Sequence, residues 1–139
     1  MKVYFSMPIS GYEIQERIDH AQSAKAALLN MYSEVITPFD ACPYDPDKSY
    51  GECMKDCIAA LLECDKIIFD KGWYDSNGCR IEAEVARGCQ IEIGMVIDVE
   101  HGVDFNRHLL HFANLFHGCN VVAVAAFGMH SQFARLRRA

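Results

Sequence analysis

The sequence lacks a long hydrophobic run. No stretch reaches the about 18 consecutive apolar residues that a transmembrane helix needs. The opening MKVYFSMPIS holds one lysine followed by a strand pattern, without the extended apolar core of a secretion signal. These absences predict a chain without a membrane partner, and we expect it to be cytoplasmic.

Positive charge is also scarce. The chain has 13 Lys and Arg residues against 19 Asp and Glu, which gives a formal net charge of -6 at pH 7. Binding to the phosphate backbone of DNA or RNA requires a basic surface, so this balance argues against a nucleic-acid partner. The short basic run at residues 135–138 indicates a solvated tail.

Cysteines are present, but the spacings that would give them a metal or disulfide role are not. The seven cysteines are an odd number and form no CxxC pair, so buried, reduced thiols explain them better than a disulfide framework. A metal site built from Cys53, Cys57, His108 and His111 is disfavoured, because no pair among them has a recognised ligand spacing. The sequence predicts no metal and no cofactor.

What the sequence does contain is a regular alternation of strand and helix patterns in an ordinary globular composition, 51% hydrophobic and 23% charged. The predicted strands are residues 2–6, 34–37, 65–69, 91–99 and 120–126, and the predicted helices are residues 12–30, 54–62, 79–87 and 105–116. This order predicts an α/β fold with a single doubly wound, mainly parallel sheet of about five strands, flavodoxin-like or Rossmann-like. We expect one domain over residues 1–139.

Three loops should meet at one edge of this sheet. Ligands of doubly wound sheets bind beyond the carboxyl ends of the strands, where residues 7–13, 39–51 and 70–78 are expected to gather. The segment FDACPYDPDKSYGE is rich in Pro, Asp and Tyr and is the longest irregular piece of the predicted fold. Loops of this length are more often functional than idle, so we expect the ligand site here.

Two glutamates, Glu82 and Glu84, share one predicted helix and must face different ways. At 100° per residue, Glu82 falls within an apolar arc, whereas Glu84 lies on the opposite side, four and three residues from two arginines. The arc consists of Ile81, Val85 and Cys89 with Ala86 on its flank, and the arginines are Arg80 and Arg87.

Their positions give the two acids different explanations. Solvated ion pairs account for Glu84. An ionised Glu82 on an apolar face is costly unless it is paired or opens into a wet cleft. The helix dipole favours a negative charge in the first turn, where Glu82 stands. The pattern alone leaves a catalytic and a structural role for Glu82 equally open.

Three segments carry a wider pattern: KVYFSMPISG, CMKDCIAALLECDKIIF and GWYDSNGCRIEAEVARG. In this order and spacing they resemble the nucleoside 2-deoxyribosyltransferase superfamily, most closely an uncharacterised bacterial and phage branch of it. The resemblance covers about residues 1–98. The matching positions are Pro8, Ile9, Ser10, Gly11, Cys64, Asp65, Trp73, Ser76, Gly78, Cys79, Glu82 and Ala86.

The resemblance implies an enzyme that cleaves or transfers the N-glycosidic bond of (deoxy)nucleosides or their 5′-monophosphates. A glutamate at the place of Glu82 is the nucleophile in characterised members. It displaces the base from the anomeric carbon and forms a covalent glycosyl-enzyme, which water or a second base resolves. A carboxylate also stabilises the developing positive charge of the sugar. Glu82 is therefore the expected catalytic residue.

Other positions are expected around the substrate. Tyr4 matches a tyrosine near the nucleophile, and Ser76 matches a serine that binds the 5′-phosphate in nucleotide-hydrolysing relatives. Trp73 is a candidate to stack on the base. An ordinary strand aromatic, an N-cap serine and a packing tryptophan are the open alternatives. The remaining substrate-binding candidates are Ser6, Met7, Pro8, Ile9, Ser10 and Gly11 in the first loop, together with Gly78.

The chain departs from the family pattern in two places. Phosphate-binding relatives carry an arginine where this chain has Ser10, which weakens the case for a nucleoside monophosphate. The family often has an acid one place from Asp56, which periodicity puts on the surface. Asp70, at the end of a predicted strand on the ligand edge, is then the candidate for protonating the leaving base, with a solvated loop acid as the alternative.

Two other function classes stay open. One is a non-catalytic nucleotide-binding or sensing domain that keeps the fold and the cleft, and the other is an accessory protein that works through protein contacts. Members of the superfamily assemble as dimers or larger rings. The resemblance therefore implies a homo-oligomer, with the predicted helix 105–116 as a candidate contact, and a small-molecule nucleoside or nucleotide as the ligand.

Overall fold

The computed structural model describes residues 1–98 and 121–126, which contain five strands and four α-helices. One turn of 3-10 helix (Trp73–Asp75) precedes the fourth of these α-helices. In chain order the elements are β1 (Lys2–Ser6), α1 (Ile14–Leu28), β2 (Glu34–Ile36), α2 (Pro38–Ala41), α3 (Tyr50–Leu62), β3 (Lys66–Phe69), α4 (Asn77–Gly88), β4 (Glu92–Asp98) and β5 (Val121–Ala126).

The strands form one sheet in the order β2-β1-β3-β4-β5, and each neighbouring pair is parallel. This is the doubly wound, flavodoxin-like order, in which the winding direction changes between β1 and β3. Tyr4 on β1 is in register with Ile36 on one side and with Ile67 on the other. The predicted fold class is confirmed.

Alternating residues of the central strands supply two separate cores. Val3 and Phe5 of β1 pack with Ile68 of β3 on the face that α1 covers, through Ala21 and Leu28. The opposite face is covered by α3 and α4, and its core includes Tyr4, Leu61, Ile67, Phe69, Ala83, Ala86 and Ile93. Because successive strand residues point to opposite faces, the even-numbered residues of β1 look towards α4.

The segment at residues 39–52 is more regular than predicted. It contains most of α2 and the first turn of α3, and each of these helices begins with a capping box. In α2 the pair is Thr37 and Asp40; in α3 it is Ser49 and Glu52. Such reciprocal pairs satisfy backbone N–H groups that have no partner inside the helix, so the turns form despite their proline and aspartate content. The irregular segment is therefore shorter than predicted and covers residues 42–49.

Helix α1 begins two residues later than the predicted helix, because the Glu13 carboxylate caps it by accepting from Gln15 N and Glu16 N. The predicted helix at residues 105–116 lies outside the described residues. Over residues 1–98 and 121–126, no helix has the length and apolar character that a membrane span requires.

Candidate active site

A cavity of about 630 Å³ opens beyond the carboxyl ends of the central strands. Its walls come from the loop after β1, from the segment running from α2 into α3, and from the connection between β3 and α4 together with the start of α4. These are the three loops that the topology predicts at one edge. The volume falls within the range of about 300–1,000 Å³ that is typical of small-molecule sites.

Glu82 lies on the wall of this cavity and is only 4% exposed. Glu84 is exposed on the other side of α4, where its carboxylate accepts from Arg87 Nη2 at 2.6 Å. The two acids therefore face opposite ways, as the helical spacing predicts. The second predicted partner, Arg80, instead donates to Asn77 Oδ1.

The apolar arc predicted for α4 is misplaced. Ile81 is 42% exposed and Cys89 is exposed, whereas the buried face consists of Cys79, Glu82, Ala83 and Ala86. Small side chains on this face let the helix lie close to the sheet, which a face of larger residues would prevent. Glu82 thus stands in the middle of the packing face.

Three buried oxygens meet beneath the cavity: Glu82 Oε2, Tyr4 Oη and Ser6 Oγ. None of them makes a regular hydrogen bond to a described residue. The two hydroxyls still lie close enough to favour the charged carboxylate and to lower its pKa. Burial is the larger effect, and it raises the pKa of Glu82 to about 8. Burial, followed by the charge of Glu82, raises the pKa of Tyr4 well above its ordinary value.

The first loop contributes mostly apolar residues to the cavity. Met7, Pro8, Ile9 and Ser10 line it, whereas Gly11 does not. Gly11 has a φ of +88°, in the region that favours glycine, so a glycine at this position allows the loop to turn. Arg17, buried in α1, donates to the Pro8 carbonyl and fixes the loop from behind.

The connection between β3 and α4 places its predicted residues differently. Ser76 and Gly78 line the cavity, and Ser76 also caps α4 by accepting from Cys79 N at 3.4 Å. Trp73 lies outside the cavity lining. It is 5% exposed in the core, with its ring centroid 4.8 Å from that of Phe69. This position fits the packing alternative for Trp73.

Asp70 follows β3 at the expected edge, but its side chain does not line the cavity. Its carboxylate meets His20 Nε2 of α1 at 2.7 Å, and this contact is the first cause of the raised pKa of His20. The Asp70 carboxylate is therefore engaged with His20 of α1. Because Asp70 does not line the cavity, it is not placed to protonate a base bound there.

The sequence matches a known protein family. Residues 1–95 match the family model described as a domain of unknown function (DUF4406). The chain belongs to this family. No curated protein matches the sequence. The solved structure of the CMP N-glycosidase BcmB from Clostridium botulinum is similar, with a TM-score of 0.54 at 18% identity over 93% of this chain and 91% of that chain.

At this identity the likeness is one of fold. It agrees with the resemblance to the nucleoside 2-deoxyribosyltransferase superfamily at that level, without indicating a branch. The cavity of this DUF4406 chain and its buried acid therefore have to be interpreted from their own chemistry.

The cavity of this DUF4406 domain also contains cysteines, and burial disfavours their ionised forms. It raises the pKa of Cys57 to about 12 and that of Cys79 to about 11. The pKa of Cys53 is raised to about 11, first by the contact of its sulfur with Cys42 Sγ at 2.8 Å. Since a thiolate is the reactive form of cysteine, these thiols are poor candidates for the nucleophile.

Several cavity residues escaped the sequence analysis. Tyr12, Tyr44 and Tyr50 line the cavity and are each more than half exposed, and Lys48 lies between the last two in sequence. For Tyr44, Lys48 and Tyr50 the signal was the Tyr- and Asp-rich composition of the segment at residues 39–52, which indicated a functional segment without singling out a residue. Asp56, expected on the surface, is half-exposed and accepts from Lys48.

Among residues 1–98 and 121–126, no group of three or more His, Cys, Asp or Glu side chains is arranged to hold a metal ion. The histidines of the disfavoured site, His108 and His111, lie outside the described residues.

Proposed function

We propose that this protein cleaves the N-glycosidic bond of nucleosides or nucleoside 5′-monophosphates, with Glu82 as the nucleophile. The observation that carries the proposal is a carboxyl group that is 4% exposed, lies on the wall of a cavity of about 630 Å³, and has an oxygen without a hydrogen bond to any described residue. Such a group costs stability, so a role in catalysis accounts for its presence better than a role in folding.

The reaction proceeds in two steps. A carboxylate oxygen of Glu82 attacks the anomeric carbon, the C–N bond breaks, and the base leaves with the bonding electron pair and takes up a proton from solvent. The resulting glycosyl ester is then attacked by water, giving the free sugar, or by a second base, giving a new nucleoside; either route releases the Glu82 carboxylate. Tyr4 and Ser6 support the ionised form, since their hydroxyls lower the pKa of Glu82.

Two further facts support the proposal. The fold is shared with the CMP N-glycosidase BcmB, and the three motif segments occur at the spacing of the superfamily that the sequence resembles. The switch point between β1 and β3 is also where doubly wound folds bind their ligands.

The test is base release from 2′-deoxynucleosides and 2′-deoxynucleotides, with and without added adenine, followed by chromatography. Glu82→Gln keeps the size of the side chain but removes the nucleophile, and should lower turnover by about a thousandfold or more. Glu84→Gln makes the same change on the exposed side of the same helix and should retain nearly full turnover. Equal losses in both variants, or full turnover in Glu82→Gln, would contradict the proposed role.

A second candidate is non-catalytic nucleotide binding, which one observation favours. With its pKa raised to about 8, Glu82 is largely a neutral acid near pH 7, and a neutral carboxyl group can both donate and accept a hydrogen bond. Ligand binding by the natural chain without any release of base would support this function over catalysis.

A further inference from the structure

The charged side chains that line the cavity are mostly acidic. Among the described residues, the lining contains the carboxyl groups of Asp45, Asp75 and Glu82 and one cation, Lys48. The Lys48 ammonium is already engaged in an ion pair with Asp56. A phosphate group brought into this cavity would therefore meet more negative than positive charge.

Two of the helix N-termini beside the cavity, those of α3 and α4, already have negative charges next to them. A free N-terminus attracts a phosphate through its exposed N–H groups and its dipole. In α3, however, the Glu52 carboxylate accepts from Ser49 N within the capping box. At α4, Asp75 directly precedes the N-cap Ser76, whose hydroxyl accepts from Cys79 N. These acids offset the attraction that the helix ends would otherwise exert on a phosphate.

Two arginines contact residues that line the cavity, and the guanidinium groups of both already have partners. Arg17 donates to the Pro8 carbonyl and forms an ion pair with Glu16. Arg80 donates to Asn77 Oδ1 at 2.5 Å. Neither guanidinium group lines the described cavity. The bidentate arginine contacts that typically recognise phosphate are therefore not formed by these side chains as they stand.

Neutral groups suited to an uncharged ligand are abundant by contrast. Tyr12, Tyr44 and Tyr50 offer aromatic faces on which a base can stack and hydroxyls that can hydrogen-bond to a base or a sugar. Deeper in, Glu82 itself lies on the wall of the cavity, where the proposed reaction would take place. Together these features describe a site for a planar base with an uncharged sugar.

From these charges we propose that the cavity takes the free nucleoside in preference to the nucleoside 5′-monophosphate. The inference rests on the proposed N-glycosidase function and specifies its substrate class. Its physical basis is repulsion between the 5′-phosphate and the carboxylates of Asp45 and Asp75.

The first test measures kcat/KM for base release from each of the four common 2′-deoxynucleosides and from its own 5′-monophosphate, at low salt. We expect the nucleoside to be favoured by about tenfold or more, and the ratio to fall as salt screens the repulsion. An equal or greater kcat/KM for the monophosphates would overturn this inference and leave the N-glycosidase function standing. Release of base from neither set would overturn the proposed function itself.

The second test removes the charges one at a time. Asp45→Asn and Asp75→Asn should each narrow the preference for the nucleoside by roughly two- to fivefold, since each removes one like charge from the lining. Asparagine retains an oxygen for the hydrogen bond that Asp45 Oδ1 accepts from Asp47 N at 2.9 Å. The matched control is Asp47→Asn, which removes the same charge from the same segment at an exposed position outside the lining.

Asp47→Asn should leave the preference for the nucleoside over its 5′-monophosphate unchanged. An equal shift in all three variants would assign the effect to net charge and overturn the role of the lining. An unchanged preference for the nucleoside in both Asp45→Asn and Asp75→Asn would also overturn the role of the lining.

Discussion

At the scale of single residues, the burial of Glu82 determines both what the site can do and at which pH. The carboxyl group is held among packed side chains, so its charged form loses hydration that Tyr4 and Ser6 replace only in part. As the proposed nucleophile, Glu82 would be weakly solvated and therefore reactive once it is ionised. The proposed activity would then depend on pH in a range where an exposed glutamate is fully charged.

We expect kcat/KM for base release to rise with pH and to level off above about 8, because only ionised Glu82 attacks and its pKa is raised to about 8. The measurement is initial rates at low substrate from about pH 6 to about pH 9. Glu84→Gln should show the same profile, since its side chain is exposed and far from the reaction. A rate that is constant or falls over this range would contradict the assignment of Glu82 as the ionised nucleophile.

At the scale of elements, local capping and backbone conformation shape the cavity. Helices α2 and α3 start at capping boxes, and the first loop turns at Gly11 with a positive φ. These local features place the tyrosines and the first-loop backbone around the cavity.

Two glycines near this edge should respond to alanine in opposite directions. Gly11→Ala should lower the free energy of unfolding by about 1 kcal/mol, because φ is +88° there and an added Cβ meets no atom within 4 Å, so the cost is conformational. A Cβ added at Gly51 in α3 also meets no atom within 4 Å. Gly51→Ala should therefore raise the free energy of unfolding by up to about 1 kcal/mol, because alanine favours the helix.

Urea denaturation of the two variants checks this pair. A gain of stability in Gly11→Ala, or a loss in Gly51→Ala, would show that packing and not backbone conformation decides these positions.

At the scale of the whole molecule, the buried acid couples the stability of the fold to pH. The pKa of Glu82 is about 8 in the folded protein against an ordinary value of 4.5. Between these values the folded state holds a proton that the unfolded state has lost, so stability from this group is complete below 4.5 and is lost as pH rises to about 8.

Glu82→Gln cannot ionise, and we expect it to unfold at higher urea than the natural chain at pH 8. Its advantage should shrink by roughly 1.4 kcal/mol for each pH unit below that. Denaturation curves at about pH 5 and about pH 8 measure the difference. The exposed Glu84→Gln should show no such trend. A stability gap that does not vary with pH would mean that Glu82 ionises in the fold as readily as in the unfolded chain.

The assembly of the molecule stays a prediction of the superfamily resemblance. Size-exclusion chromatography with light scattering should give a dimer or a larger ring, and a clean monomer at micromolar protein would contradict it.

Part of the candidate site could be predicted from the sequence. Alternating strand and helix patterns predicted the edge where the cavity opens, and helical spacing separated Glu82 from Glu84. Spacing failed to identify the packing face of α4, since Ile81 looked buried and is exposed, while Ala83 and Ala86 form the contact. Periodicity ranks residues by hydrophobicity, whereas close packing of a helix on a sheet selects small side chains.

The sequence by itself determined the parallel sheet and the edge where its loops meet, because strand and helix periods and the topology of parallel strands are local or general properties. Only the tertiary structure decided which side chains share the cavity. It placed Tyr4 and Ser6 beneath the cavity, brought three tyrosines from two segments into the lining, and left Asp70 and Trp73 outside it. Those outcomes depend on contacts between residues far apart in the chain, which no local pattern records.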